Sequence, residues 1–197
     1  MAPPPAENIH AFVAIAIDAV LIAELKNVQQ ELRVKLPGEL ASWTKPEQIH
    51  LTLKFFGSVA KTDFPEVTEA LHRACAGQPA FQLGLAGLGY FPTAKNPRVI
   101  WVGINGQLDS LLRLQANIEK ELRGYGGHSE EQAFRPHLTI ARVKAFGREG
   151  RRVGEIVEQT KVTSPGSWTV REVELMESRL EPYGARYSQL AAVPLAN

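Results

Sequence analysis

The chain has 197 residues, 44% of them hydrophobic, enough to fill one core or two small lobes that share one assembly. Its 22 Lys and Arg against 21 Asp and Glu leave a formal net charge of +1, which excludes a polyanion-coating protein of the histone or basic-arm kind. A single cysteine, Cys75, excludes an internal disulfide, Cys-rich zinc modules and CxxC redox chemistry, and it points to a reducing compartment with the cytoplasm as the default.

Residues 1–8 carry no positive charge ahead of an apolar run and read as a flexible tail, not a secretory signal, which leaves 9–197 as a single domain. The apolar stretch from Phe12 to Leu25 is broken by Asp18 and Glu24 and is shorter than the ~20 residues of a membrane span, so no membrane partner is expected. His10 to Ile17 is a nearly continuous β-prone run, and Asp18 stands where it can cap the next element. From Ala19 to Lys35, Leu21, Ile22, Leu25, Val28 and Leu32 recur at helical spacing until Pro37-Gly38 stops the pattern. Trp43 lies in a short extended piece before Pro46. Gln48 to Phe56 then alternates as a strand closed by Gly57, with Ile49, Leu51, Leu53 and Phe55 assigned to the buried face and His50, Thr52 and Lys54 to the other.

A second helix is expected between Asp63 and Ala76, with Pro65 in its first turn, where proline is tolerated. Phe81 to Phe91 reads as a strand running into a glycine-rich bend, and Arg98 to Ile104 as its hairpin partner. Leu108, Leu111, Leu112, Gln115, Ile118 and Leu122 mark a third helix within Gln107 to Gly124, ended by glycines. Phe134 to Val143 is a strand, Ala145 to Gly154 a Gly/Arg-rich surface loop holding Arg148, Arg151 and Arg152, and Trp168 to Leu180 with Arg186 to Val193 a closing hairpin through Glu181-Pro182-Tyr183-Gly184.

Two of these strands repeat one pattern. Ile49-His50-Leu51-Thr52-Leu53-Lys54 returns as Pro136-His137-Leu138-Thr139-Ile140-Ala141-Arg142, and the histidines stand 87 positions apart. Successive side chains of a strand point to opposite faces, so each copy shows a His-x-Thr pair on one face and an aliphatic pair on the other. A separation that long suits two successive half-domains, each turning its His-x-Thr face toward a common cleft. A lone His-x-Thr would be ordinary sheet surface. Two copies, each inside the same aliphatic alternation and each preceded by a matching helix, are not.

Two imidazoles across a cleft suit a reaction that takes a proton from one oxygen and gives one to another, because a pKa near 6.5 lets either form exist at working pH. Such assistance contributes roughly 10²–10⁴ in rate, and a phosphodiester with an oxygen nucleophile and leaving group is the substrate it fits best. The hydroxyls of Thr52 and Thr139 would then donate to the non-bridging phosphate oxygens, each worth roughly 1.5–3 kcal/mol against an anion. His72 and Cys75, three apart on a helix, lack the third ligand that a catalytic zinc needs, so no metal site and no cofactor is expected. His128 reads as a solvated loop residue and His10 as a strand start. Lys54, Arg98, Lys144 and the 148–152 arginines are either a local positive field for an anionic substrate or solvated surface.

The paired blocks, together with Phe12-Val13-Ala14-Ile15, Arg98-Val99-Ile100-Trp101-Val102 and the closing Ser178-Arg179-Leu180 with Gly184 and Tyr187, resemble the two-histidine phosphoesterase superfamily. Within it they are most similar to the RNA 2′,3′-cyclic phosphodiesterases, also called 2′-5′ RNA ligases. The resemblance runs from about Phe12 to Leu190. It implies a bilobal, duplicated α+β fold, two mainly antiparallel sheets flanking a central cleft with helices on the outer faces. It also implies metal-independent opening of a 2′,3′-cyclic phosphate to a 2′-phosphate, with 2′-5′ ligation as a reversible companion activity. The partner would be an RNA ending in a cyclic phosphate, tRNA fragments among the candidates, with no obligate protein partner.

Carried onto this sequence, the resemblance makes His50 and His137 the catalytic pair. The division read here has His50 protonating O3′ and His137 activating water, and the exchange of those roles, which would preserve the overall chemistry, stays open. Thr52 and Thr139 hold the phosphate. Arg142 matches the family's arginine after the second motif and would contact the phosphate or stack on a base, yet strict alternation from His137 puts it on the opposite face, so a bulge or strand end must re-aim it or its role is structural. Phe12 and Phe56 are candidates to stack on a nucleobase. Two alternatives stay open: turnover of a small cyclic nucleotide by the same four residues, and a non-catalytic module that binds RNA ends.

Overall fold

The structure, a computed structural model, describes residues 7–36, 38–126, 133–162, 166–182 and 184–196. In chain order the elements are β1 (Asn8–Ala16), α1 (Ala19–Lys35), β2 (Ala41–Trp43), β3 (His50–Ala60), α2 (Phe64–Cys75), β4 (Phe81–Thr93), β5 (Asn96–Gly106), α3 (Leu108–Glu121), β6 (His137–Val143), α4 (Gly147–Gln159), β7 (Ser167–Val170), β8 (Glu172–Glu181) and β9 (Gly184–Pro194). The chain is α+β: strands and helices alternate along it, but the named strands pair antiparallel.

The strands lie in the order β7-β4-β5-β6-β3-β1-β8-β9, and each named neighbour pair is antiparallel. Two four-strand halves are therefore arranged about a join between β6 and β3, the two strands that carry the repeated motif. The join is narrow. A single pair, Leu51 opposite Leu138, links β3 to β6, and β2 takes over the same edge of β6 from Ala141 to Val143. The two expected sheets are thus continuous at this one point, and His50, Thr52, His137 and Thr139, next to it on both strands, line a cleft. One hydrophobic cluster runs through both halves, from Val13, Leu21 and Leu51 to Ile100, Leu114 and Leu138.

Local chemistry accounts for the boundaries. Asp18 caps α1, its Oδ1 accepting from the Leu21 amide at 2.9 Å, and the buried stripe Leu21, Leu25, Val28, Gln29, Leu32 faces the sheet. The tail ends sooner than expected. Asn8 already pairs with Ala60, and the Glu7 carbonyl accepts from the Lys61 amide at 2.9 Å. The expectations for residues 1–6, Pro37, His128 and Tyr183 lie outside the described residues.

Three expectations are corrected. The segment expected as a Gly/Arg-rich loop is the helix α4, in which Gly150, Val153, Gly154 and Val157 form the buried stripe. Gly154 serves packing: a Cβ there would collide with the Ala94 carbonyl oxygen in the β4–β5 turn. Likewise the glycine-rich end of β4 does not bend away. It runs on to Thr93 as a strand, and Gly89 leaves room for the Trp101 ring, which a Cβ there would meet at 2.2 Å. The expected strand from Trp168 to Leu180 is divided at Arg171 into β7 and β8.

Candidate active site

Both motifs open on a histidine held the same way. The Nδ1–H of His50 donates to the Gln48 carbonyl at 2.8 Å, and the Nδ1–H of His137 donates to the Arg135 carbonyl at 2.7 Å. Each bond spans two residues back along the chain, so it fixes the ring against its own strand and leaves Nε2 to face the cleft. Aromatic walls complete the positioning. Phe12 of β1 stacks on His50 with centroids 4.7 Å apart and planes 22° apart, while Tyr187 of β9 meets the same imidazole edge-on at 5.3 Å. On the other side Phe91 of β4 meets His137 edge-on at 5.0 Å, and Trp101 of β5 lies 6.3 Å away.

The cleft encloses about 190 Å³ and is lined by Thr44, Gln48, His50, Thr52 and Phe55 from the first half and His137, Thr139 and Arg142 from the second, with Phe12, Ser178 and Tyr187 at the wall. His50, Thr52, His137, Thr139, Arg142 and Phe12, all singled out in the sequence, come together here. Phe56 does not. It is 0% exposed within the core and offers no face to a base, so that expectation is corrected.

A bulge explains the exchange. Between β1 and β3 the register passes from Val13 opposite Lys54 to Ala14 opposite Thr52, leaving Leu53 as the extra residue. Past the bulge the alternation is inverted, which sends Lys54 inward, Phe55 into the cleft and Phe56 into the core. Lys54, expected on the polar row, is 3% exposed, and its Nζ pairs with Glu119 of α3 at 2.6 Å. The second motif does the same. Ile100 faces Ala141 but Trp101 faces Thr139, so Ile140 is the extra residue and Arg142 emerges in the cleft beside His137 and Thr139. Phe55 and Arg142 therefore occupy equivalent places, each five residues after its histidine. That shared offset was the signal that would have found Phe55 in the sequence.

The setting of His50 bears on its proton. Burial pulls the His50 imidazole below its ordinary pKa of 6.5, and the bond to the Gln48 carbonyl restores part of the loss. The other candidate cations stand away from the cleft lining. The Arg98 guanidinium lies over the Phe146 ring at 3.7 Å, and Arg148, Arg151 and Arg152 line a surface hollow on α4 with Glu149 and Glu155. On α2, His72 is exposed while Cys75 is buried, so they share no face. Burial raises the Cys75 thiol to about 11, which leaves it unreactive at neutral pH.

Comparison with known proteins agrees with this architecture. The family model of the 2′-5′ RNA ligase superfamily matches residues 21–181. The chain belongs to that superfamily. Among its relatives, the RNA 2′,3′-cyclic phosphodiesterase of Archaeoglobus fulgidus is 32% identical over 179 residues, covering 91% of this chain and 96% of the relative. That of Thermotoga maritima is 31% identical over 179 residues, with 91% of each chain covered. In three dimensions TT0787 of Thermus thermophilus superposes with a TM-score of 0.74 at 26% identity, over 95% of this chain and 98% of that one. Escherichia coli LigT complexed with 3′-AMP superposes with a TM-score of 0.76 over 97% of this chain and 100% of that one, and at 23% identity it supports the fold alone.

Proposed function

We propose that the protein is an RNA 2′,3′-cyclic phosphodiesterase that converts a terminal 2′,3′-cyclic phosphate to a 2′-phosphate by acid–base catalysis without a metal. The observation that carries this reading is the pair of imidazoles presented to one cleft by matching strands, each with Nδ1 tied to its own backbone. A water on the His137 side loses its proton to Nε2 as its oxygen attacks phosphorus. The P–O3′ bond breaks, and O3′ takes a proton from Nε2 of His50. One proton is accepted and one delivered, so the pair ends with its protonation exchanged and is reset by solvent. The hydroxyls of Thr52 and Thr139 donate to the two non-bridging oxygens, where negative charge grows in the transition state. Arg142 adds a cation at the same rim.

Burial disfavours the protonated form of His50, so the donor role relies on the anionic cyclic phosphate to stabilise the imidazolium when it binds. With a 5′-hydroxyl in place of water, the same steps form a 2′-5′ linkage, and their reversal exchanges the roles of the two rings. The reading places the protein in the cytoplasm, where Cys75 stays reduced.

The test is product analysis on an oligoribonucleotide ending in a 2′,3′-cyclic phosphate, with and without chelator. A 2′-phosphate end formed at an unchanged rate in chelator is expected. A 3′-phosphate product or a strict metal requirement would overturn the scheme. Faster turnover of cyclic mononucleotides than of RNA ends would move the substrate to small nucleotides, and tight binding without turnover would make the cleft a docking site only.

A further inference from the structure

The two bulges that turn Phe55 and Arg142 into the cleft leave the carbonyls of Leu53 and Ile140 out of simple ladder register, and each is met by a buried glutamine. Gln29 of α1, 3% exposed, donates through Nε2 to the Ile140 carbonyl at 2.9 Å and to the Thr44 carbonyl at 2.8 Å. Gln115 of α3, 9% exposed, donates through Nε2 to the Leu53 carbonyl at 3.3 Å and to Glu119 at 3.4 Å, the carboxylate that also holds Lys54. The glutamines stand 86 positions apart, against 87 for the histidines, so they are counterparts in the two halves. Each reaches across: the helix after β1 holds the strand of His137, and the helix after β5 holds the strand of His50.

A buried polar side chain persists only where its hydrogen bonds are met, and an amide that meets an irregular carbonyl fixes the irregularity. We propose that Gln29 and Gln115 are positioning residues that lock the paired bulges and thereby aim Arg142 and Phe55 at the substrate. The bulge is what separates a strand with a cationic or aromatic tip in the cleft from one whose tip points into the core. The inference rests on the function proposed above for the roles of Arg142 and Phe55, and on this structure for the geometry.

Double-mutant cycles test it, with kcat/KM on the cyclic-phosphate oligonucleotide as readout. Gln29→Met should lower kcat/KM about tenfold in the otherwise unchanged protein and less than about twofold in the Arg142→Ala background, as coupled neighbours do. Gln115→Met should couple in the same way to Phe55→Ala. Across the halves, Gln29→Met with Phe55→Ala should be additive. Equal losses in both backgrounds would show that the glutamines act only on general stability and would overturn the proposal.

Gln29→Glu is the second variant, close in shape and able to donate only when its carboxyl is protonated. Its deficit relative to the unchanged protein should shrink as pH falls, and a deficit independent of pH would count against the lock. If the unchanged protein shows no turnover, the functional reading fails. The cycles are then read in the Kd for adenosine 2′-monophosphate, where the same coupling is expected and additivity overturns the inference.

Discussion

Replacing Phe12 by alanine tests how the cleft sets the state of His50. The ring is 3% exposed, stacks on the imidazole at 4.7 Å and touches Tyr187 edge-on at 5.1 Å. Truncating a buried phenylalanine of this kind costs about 3–5 kcal/mol, a large share of the about 5–15 kcal/mol that holds a domain folded. It also opens one face of His50 to water. Since burial is the main cause of the lowered His50 pKa, the variant should titrate closer to 6.5 than the unchanged protein does.

The stability curve follows from the same shift. Above about pH 6.5 the ring is neutral in folded and unfolded chains alike and contributes no slope. Below it the unfolded chain binds a proton that the folded ring resists, so His50 makes the fold less stable as pH falls toward its depressed folded pKa. Phe12→Ala should flatten that loss and move the alkaline limb of kcat/KM to higher pH. The measurements are the His50 ring titration by NMR and the urea midpoint as a function of pH. A His50 that titrates at or above 6.5 in the unchanged protein, or one that Phe12→Ala leaves in place, refutes the reasoning.

Other outcomes follow from the same geometry. His50→Ala and His137→Ala should each lower turnover by roughly 10²–10⁴ while circular dichroism and the thermal midpoint show a folded protein. Full turnover in either variant removes that ring from the acid–base pair. In the Lys54–Glu119 pair the partners differ in exposure, 3% against 31%, so the two ways of breaking it should differ in cost. Glu119→Gln strands a buried ammonium and should cost about 3–5 kcal/mol, whereas Lys54→Met leaves a carboxylate that water can reach and should cost about 1–2 kcal/mol in urea unfolding. Gly154→Ala drives a Cβ against the Ala94 carbonyl and should cost about 1–3 kcal/mol, read as a fall in the thermal midpoint.

Much of the cleft lining is legible in the sequence. Period-two alternation is local, so His50 with Thr52 and His137 with Thr139 could be assigned to shared faces, and the repeat at 87 positions placed those faces in matching halves. The same rule showed that Arg142 needed a bulge to reach the cleft. It failed on Lys54, Phe55 and Phe56, because a bulge in the first copy inverts the alternation without leaving a turn residue to mark it. It failed on α4 because Gly147, Gly150 and Gly154 lower helix propensity, and only the packing of Gly154 on the β4–β5 turn shows why small residues stand there.

The sequence by itself determined which residues could share a strand face, since side-chain direction over a few residues depends only on backbone geometry. Tertiary structure decided where that geometry breaks. Leu53 and Ile140 are extra residues because helices from the opposite halves offer Gln115 and Gln29 to their carbonyls, across 62 and 111 positions of chain. A bond between groups so distant leaves no trace in the local pattern, yet it is what directs the Phe55 ring and the Arg142 guanidinium into the cleft.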